Sequence, residues 1–232
     1  MKLFASLTIF AGLLLSLNPA FAAFANYKEA LDSGVTKLKA KEYVAARADL
    51  TDALGLADTP SHKTNALIQI SRTYAGEKNF TAARTELQKI LDMTDTRAAQ
   101  KVDAQLEIAR TFEQEKNYAQ SRTEYSKAAQ MAGAKPVDKA RAQIGIAWTY
   151  FEEKNYAASR TEYHQVIAGV EAPAASKVSA QLGIGQTYME EKNWAAAKEA
   201  YTKSVNMDGA SEGSKATAQK QLEKIAKMEV KG

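Results

Sequence analysis

The chain has 232 residues, of which 45% are hydrophobic and 25% charged, a balance typical of a globular protein with enough apolar residues for a core. Its formal net charge of +4 comes from 31 basic and 27 acidic side chains with interleaved signs, and this pattern argues against a clustered basic surface for nucleic acid. The absence of cysteine excludes disulfides, thiol catalysis and cysteine-type zinc sites.

The first 25 residues have the pattern of a secretory signal. Lys2 precedes an apolar stretch at residues 3–17, and a small-x-small site follows at Ala20–Ala22. We predict a signal peptide at 1–22, cleaved after Ala22 or alternatively after Ala25. The rival interpretation is an uncleaved anchor, but an apolar run of about 15 residues is shorter than the roughly 20 that span a bilayer. We therefore expect a bacterial periplasmic or secreted protein with no membrane span after cleavage.

A short run then recurs at a fixed interval. The copies are Glu77–Phe80, Glu115–Tyr118, Glu153–Tyr156 and Glu191–Trp194. They lie 38 residues apart, and a weaker copy at Lys41–Tyr43 lies 37 residues before the first. A period of this size indicates one supersecondary unit stacked on itself, because each unit buries its apolar face only against its neighbours.

Each unit reads as two amphipathic helices joined by a tight turn. The first helix carries an alanine, an aliphatic, a small and an aromatic residue on one face, at spacings of four, one and three. In one unit these are Ala66, Ile70, Ser71 and Tyr74. The second helix repeats an apolar stripe of its own, and the asparagines that precede it are expected to be its N-caps. These are Asn79, Asn117, Asn155 and Asn193.

This combination of small and aromatic positions resembles the tetratricopeptide repeat over residues 27–229. It departs from that family in three ways. The usual tryptophan of the first helix is replaced by Leu67, Gln105, Gln143 and Gln181, the Gly-Asp of the turn becomes Lys-Asn, and the period is 38 rather than 34. The resemblance implies an all-α, right-handed α-solenoid, with five helical hairpins at 27–211 and a capping helix at 212–229.

No pattern in the chain indicates catalysis. His62, expected in a loop before a helix, and His164 belong to different units, and no nucleophile, phosphate-loop or metal-binding motif is present. We predict no catalytic residue, no metal ligand and no cofactor.

A basic residue also recurs on the second helix, at Arg47, Arg84, Arg122, Arg160 and Lys198, with an acidic residue two positions later in the first four copies. Residues two apart on a helix do not face each other, so any pairing would run between stacked units. We interpret this series as a solvated helix face whose weakly stabilising ion pairs help set the register between stacked units.

The resemblance places function on the first helices, which line a concave groove for peptides or partner helices in this family. Position by position, the candidate groove residues are Arg72, Arg110, Arg141, Ile144, Trp148, Phe151, Leu182, Gln186 and Met189. The lysine and asparagine with which some family members clamp a terminal carboxylate are absent from the equivalent positions. Trp148 and Phe151 have no counterpart in the other units, and the sequence leaves open whether they line the groove or pack in the core.

We expect an exported scaffold that binds a protein or peptide segment carrying acidic residues and a large apolar anchor, as in an envelope protein. The alternative is a structural protein that self-associates through its repeats. The oligomeric state and the identity of the partner stay open.

Overall fold

The computed structural model describes residues 24–229, which form eleven helices and no strand. The helices are α1 (Tyr27–Lys39), α2 (Tyr43–Gly55), α3 (Pro60–Gly76), α4 (Phe80–Asp92), α5 (Ala98–Gln114), α6 (Tyr118–Gln130), α7 (Pro136–Glu152), α8 (Tyr156–Ala168), α9 (Ala174–Glu190), α10 (Trp194–Asn206) and α11 (Glu212–Glu229). The all-α solenoid predicted from the repeat is confirmed. The predicted signal at 1–22 lies outside the described residues. Within 24–229 no helix combines the length and apolar character needed to cross a membrane.

The helices stack in chain order, each packing against the next. The odd-numbered helices also contact one another across repeats, as α3 does with α5 and α5 with α7, whereas no even-numbered pair in residues 24–229 touches. The odd-numbered helices therefore line the inner side of the stack, and the even-numbered helices form its outer side.

The 38-residue period has a direct structural origin. It comprises a 17-residue first helix such as α5, a three-residue turn, a 13-residue second helix such as α6 and a five-residue loop. The first interval is 37 residues because the loop between α2 and α3, at 56–59, is one residue shorter. Pro60 and Pro136 occupy the first positions of α3 and α7, where a missing N–H costs nothing.

The same turn joins the helices of each pair. After α3, the N–H of Asn79 donates to the carbonyl of Tyr74 at 2.8 Å and that of Lys78 to Ala75 at 2.9 Å, which is the Schellman arrangement. The Asn79 side chain then accepts from the N–H at the start of α4. All four asparagines predicted to be N-caps are confirmed in this role. The sequence did not reveal that Lys78 adopts a φ of 61°.

A ladder of arginines joins successive repeats. The guanidinium of Arg122 donates to Glu153 at 2.8 Å and to the Thr149 hydroxyl at 3.2 Å, and it lies 4.4 Å from the centroid of the Tyr150 ring. Arg47, Arg84 and Arg160 make the same three kinds of contact with the next repeat. Pairing between units is thus confirmed. The interpretation as a solvated face is wrong, because these arginine side chains are only 17–22% exposed between the acid and the ring.

Candidate functional site

Two clefts open along the odd-numbered helices. The N-terminal cleft, of about 420 Å³, lies between α1, α3 and α5, and the central cleft, of about 410 Å³, lies between α5, α7 and α9. Of the candidate groove residues, Arg72 and Arg110 line the N-terminal cleft, and Arg110, Arg141, Ile144 and Trp148 line the central cleft. Arg110 belongs to both, so the two clefts adjoin at its side chain.

Trp148 stands on the wall of the groove. Its ring stacks on Phe151 with centroids 4.9 Å apart, and Phe151 in turn lies 5.5 Å from Tyr156. Trp148 also lines a smaller cleft of about 260 Å³, the acidic cleft, whose other walls include Glu113 and Glu152. Neither Trp148 nor Phe151 belongs to the four clusters of buried apolar residues found in 24–229, so their position favours the groove over the core.

The remaining candidates lie apart from these clefts. Leu182 and Met189 pack against the C-terminal core cluster around Tyr201 and Ile225, and Gln186 is exposed. None of the three lines a cleft described above. The structure therefore brings together the candidates of the second to fourth repeats and separates them from those of the fifth.

The groove arginines are engaged in ion pairs. Arg72 and Arg110 both donate to one oxygen of the buried Glu107, at 2.5 and 2.9 Å. Arg141 donates to Asp103 at 2.8 Å, and Asp138 lies 3.5 Å away. The positive charge that these arginines bring to the groove is therefore partly balanced by neighbouring carboxylates. Two guanidinium groups on one carboxylate nevertheless leave a positive excess, and both arginine side chains are 44–45% exposed.

A buried tyrosine and a half-buried glutamate meet in the central cleft. The Tyr125 hydroxyl donates to Glu113 Oε2 at 2.9 Å. Burial raises the pKa of the Glu113 carboxyl, and burial together with this carboxylate raises the pKa of Tyr125. Burial likewise raises the pKa of Tyr163, on the same wall, to about 12. Both phenols therefore keep their protons at neutral pH and can act as hydrogen-bond donors.

These tyrosines reach the cleft because glycines face them. A side chain at Gly145 or Gly183 would overlap the ring of Tyr125 or Tyr163, respectively. Both tyrosines belong to the apolar stripe of the second helix, and that pattern alone predicts burial and not a place in the cleft wall. The sequence does contain a sign of this contact, because the tyrosine and the glycine occur together. The two preceding repeats have leucine in place of the tyrosine, at Leu50 and Leu87, and Gln69 and Glu107 in place of the glycine.

The histidines take no part in the groove. His62 lies inside α3, not in the preceding loop as expected, and it stacks on Tyr27 with centroids 4.0 Å apart and contacts Asp58 at 2.6 Å. His164 is exposed on α8. Across residues 24–229, no group of three or more His, Cys, Asp or Glu side chains is placed to hold a metal ion.

One segment of the chain matches a known family of helical repeats. Residues 178–211 match the family model of the tetratricopeptide repeat. The match begins at the fifth residue of α9, so the first turn of that helix precedes the matched segment. No curated protein matches the sequence.

Two solved structures resemble the fold. One is a crystal structure of the nearly identical TPR-like repeats of a putative kinesin light chain from Podospora anserina, with a TM-score of 0.56 at 12% identity, covering 83% of this chain and 96% of that one. The other is the TPR domain of P58(IPK), with a TM-score of 0.40 at 14% identity, covering 88% of this chain and 56% of that one. The first likeness shows a shared fold.

Proposed function

We propose that this chain, whose residues 178–211 match the tetratricopeptide repeat and whose fold resembles a structure of TPR-like repeats, is an exported scaffold whose inner groove binds a peptide or helical segment of another envelope protein. Stacked helical repeats present extended concave surfaces that suit such segments. The proposal assigns no catalytic step and no cofactor to the chain.

The observation that carries the proposal is the position of the half-buried Trp148 on the wall of two clefts. Trp148 belongs to none of the core clusters, stacks on the Phe151 ring and lines two clefts, so the accessible part of its ring faces the groove. Tryptophan and arginine are the residue types that most often dominate protein-binding interfaces. Trp148 lies beside Arg110 and Arg141 in the central cleft, which provides both types together.

The proposed partner segment combines a large apolar side chain with acidic residues. The apolar side chain would cover Trp148, and the acidic residues would meet the guanidinium excess at Arg72 and Arg110. Charge complementarity of this kind mainly accelerates encounter, whereas contact with the aromatic ring slows release.

Export is the part of the proposal that rests on the leader alone. The intact mass of the protein recovered from the cell envelope tests it. A chain beginning at Ala23, or at Asn26, supports export by cleavage, whereas a membrane-bound chain that retains residues 1–22 contradicts it.

Partner binding is tested by affinity capture from envelope extracts with three matched baits. These are the mature chain, its Trp148→Ala variant and its Thr161→Ala variant, which alters an exposed position on the outer helix α8. We expect one or more envelope proteins to be retained by the mature chain and the Thr161→Ala bait and lost from the Trp148→Ala bait. Equal recovery on all three baits would contradict binding at the groove.

A further inference from the structure

One position of the repeat changes charge along the stack. It lies at the end of the first helix of each repeat, near the rim of the groove, and is occupied in order by Lys39, Gly76, Gln114, Glu152 and Glu190. The side chain thus passes from basic through neutral to acidic from the first repeat to the fifth. Gln114, at the midpoint, lines both the N-terminal and the acidic cleft.

The N-terminal cleft is basic. Lys39, Lys41, Arg72 and Arg110 line it, and its only acidic lining residue is Glu107. Because Glu107 already accepts from both arginines through one oxygen, it does not neutralise the lysines as well. A partner carboxylate entering this cleft would meet several cations at short range.

The acidic cleft, which lies next along the stack, carries carboxylates instead. Glu113 and Glu152 line the acidic cleft together with the Trp148 ring. Burial raises the pKa of Tyr118 and Tyr156, and negative charge nearby raises it further, from Glu152 and Glu113 for Tyr118 and from Glu190 and Glu191 for Tyr156. An ammonium or guanidinium group at this position could stack on the tryptophan and pair with a carboxylate.

We infer that the groove binds a charge-asymmetric segment in one orientation, with its acidic residues in the N-terminal cleft and its basic residues at the acidic cleft beside Trp148. This inference rests on the proposed function and adds the direction in which the partner lies. It also refines the partner's chemistry, because acidic residues alone would match only half of the groove.

Other charges near the groove do not reverse the pattern. The turn lysine occurs in every repeat, as Lys41 in the N-terminal cleft and Lys116 in the acidic cleft, so it adds equally to both clefts. Arg141 is balanced by its pairs with Asp103 and Asp138. The difference between the clefts comes from the side chains that change along the stack.

The inference is tested with two simple probes, blocked hexaglutamate and hexalysine peptides, titrated at low salt into the ¹⁵N-labelled mature chain. Amide shifts in the NMR spectrum should cluster around Lys39 and Arg72 for hexaglutamate, and around Trp148, Glu152 and Tyr156 for hexalysine. Shifts of both peptides at the same residues, or shifts outside these clefts, would overturn the inference. The absence of shifts with either peptide would overturn it as well.

Two neutral variants provide the matched control. Arg72→Gln should weaken hexaglutamate binding by about threefold or more and leave hexalysine binding unchanged. Glu152→Gln should weaken hexalysine binding by a similar factor and leave hexaglutamate binding unchanged. Equal effects of either variant on both peptides would contradict a charge-directed groove. Because no natural partner is used, this result is independent of the capture experiment. The two peptides could bind at different clefts while the Trp148→Ala bait still recovers all the envelope proteins. That combination would reject the proposed function but would support the charge asymmetry of the groove.

Discussion

Every turn between paired helices places a lysine at positive φ, between 57° and 64°. For residues with a side chain this region costs about 1–2 kcal/mol, and glycine is its usual occupant. The lysines are held there by the paired turn hydrogen bonds and, in every turn but the one between α1 and α2, by the asparagine cap that follows. The repeat therefore stores a small strain at each of its turns.

Replacing Lys154 by glycine should release this strain. We expect the free energy of unfolding to rise by about 1 kcal/mol, measured from urea denaturation. The control is Lys139→Gly inside α7, where glycine should instead cost about 1 kcal/mol through its poor helix propensity. Destabilisation of equal size by both changes would show that the turn carries no strain.

A second residue-scale prediction concerns Glu113. Its raised pKa means that the folded protein binds a proton more readily than the unfolded chain does. The stabilisation linked to this proton is complete below the unfolded value of about 4.3 and is lost as the pH rises through the folded pKa. Glu113→Gln, which cannot ionise and can still accept from Tyr125, should gain stability relative to the native chain as the pH rises above about 4.3. A difference in the free energy of unfolding between the two proteins that does not change with pH would contradict a raised pKa for Glu113.

At the scale of the helix, the arginine ladder is the main polar contact between repeats. Arg122 combines a bond to Glu153, a bond to Thr149 and stacking on Tyr150, and it is largely buried. Lysine cannot reproduce the planar fork that makes these contacts together. The ladder should therefore contribute more than the exposed ion pairs of the same chain.

We expect Arg122→Gln to lower the free energy of unfolding by about 2 kcal/mol, and Arg122→Lys to recover only part of this loss. The matched control is Lys28→Ala in α1, which removes an exposed pair with Asp32 and should cost less than about 0.5 kcal/mol. Thermal and urea denaturation of the three variants measure the difference. If the Arg122 variants lose no more free energy of unfolding than Lys28→Ala does, the ladder contributes no more than an exposed ion pair.

The sequence predicted what lies within one helix or one turn. Spacings of three and four identified the buried faces, and Asn79 identified a helix start, because both depend on local geometry. The ladder partner Glu153 lies 31 residues from Arg122, and no spacing argument within a helix reaches that far. The position of Tyr125 in the wall of the central cleft was missed for the same reason, since it depends on Gly145 of the following helix.

At the scale of the whole molecule, the ladder ends at the first repeat. The positions that hold the acid and the aromatic ring in later repeats are occupied by Ala40 and Lys37, so another copy stacked before α1 would find neither contact. At the other end, α11 exposes Lys220, Lys224 and Lys227. Both features weigh against end-to-end stacking, the alternative function suggested by the repeat.

We therefore predict a monomer for the mature chain. Light scattering coupled to size-exclusion chromatography should give the mass of one chain at all concentrations tested. A mass that rises with concentration would support the self-associating alternative. In that case an interface between copies of the chain could occupy the groove in place of a partner.

The most direct test of the groove as a binding site is calorimetric titration of the captured partner into the native and Trp148→Ala chains, with the melting temperature of each. Because Trp148 lies outside the core clusters, we predict an almost unchanged melting temperature and binding weakened by about tenfold or more. Trp194→Ala, which removes a ring packed against the C-terminal core, should instead lower the melting temperature. Undiminished binding by Trp148→Ala, or a melting temperature that falls as far as that of Trp194→Ala, would contradict the account.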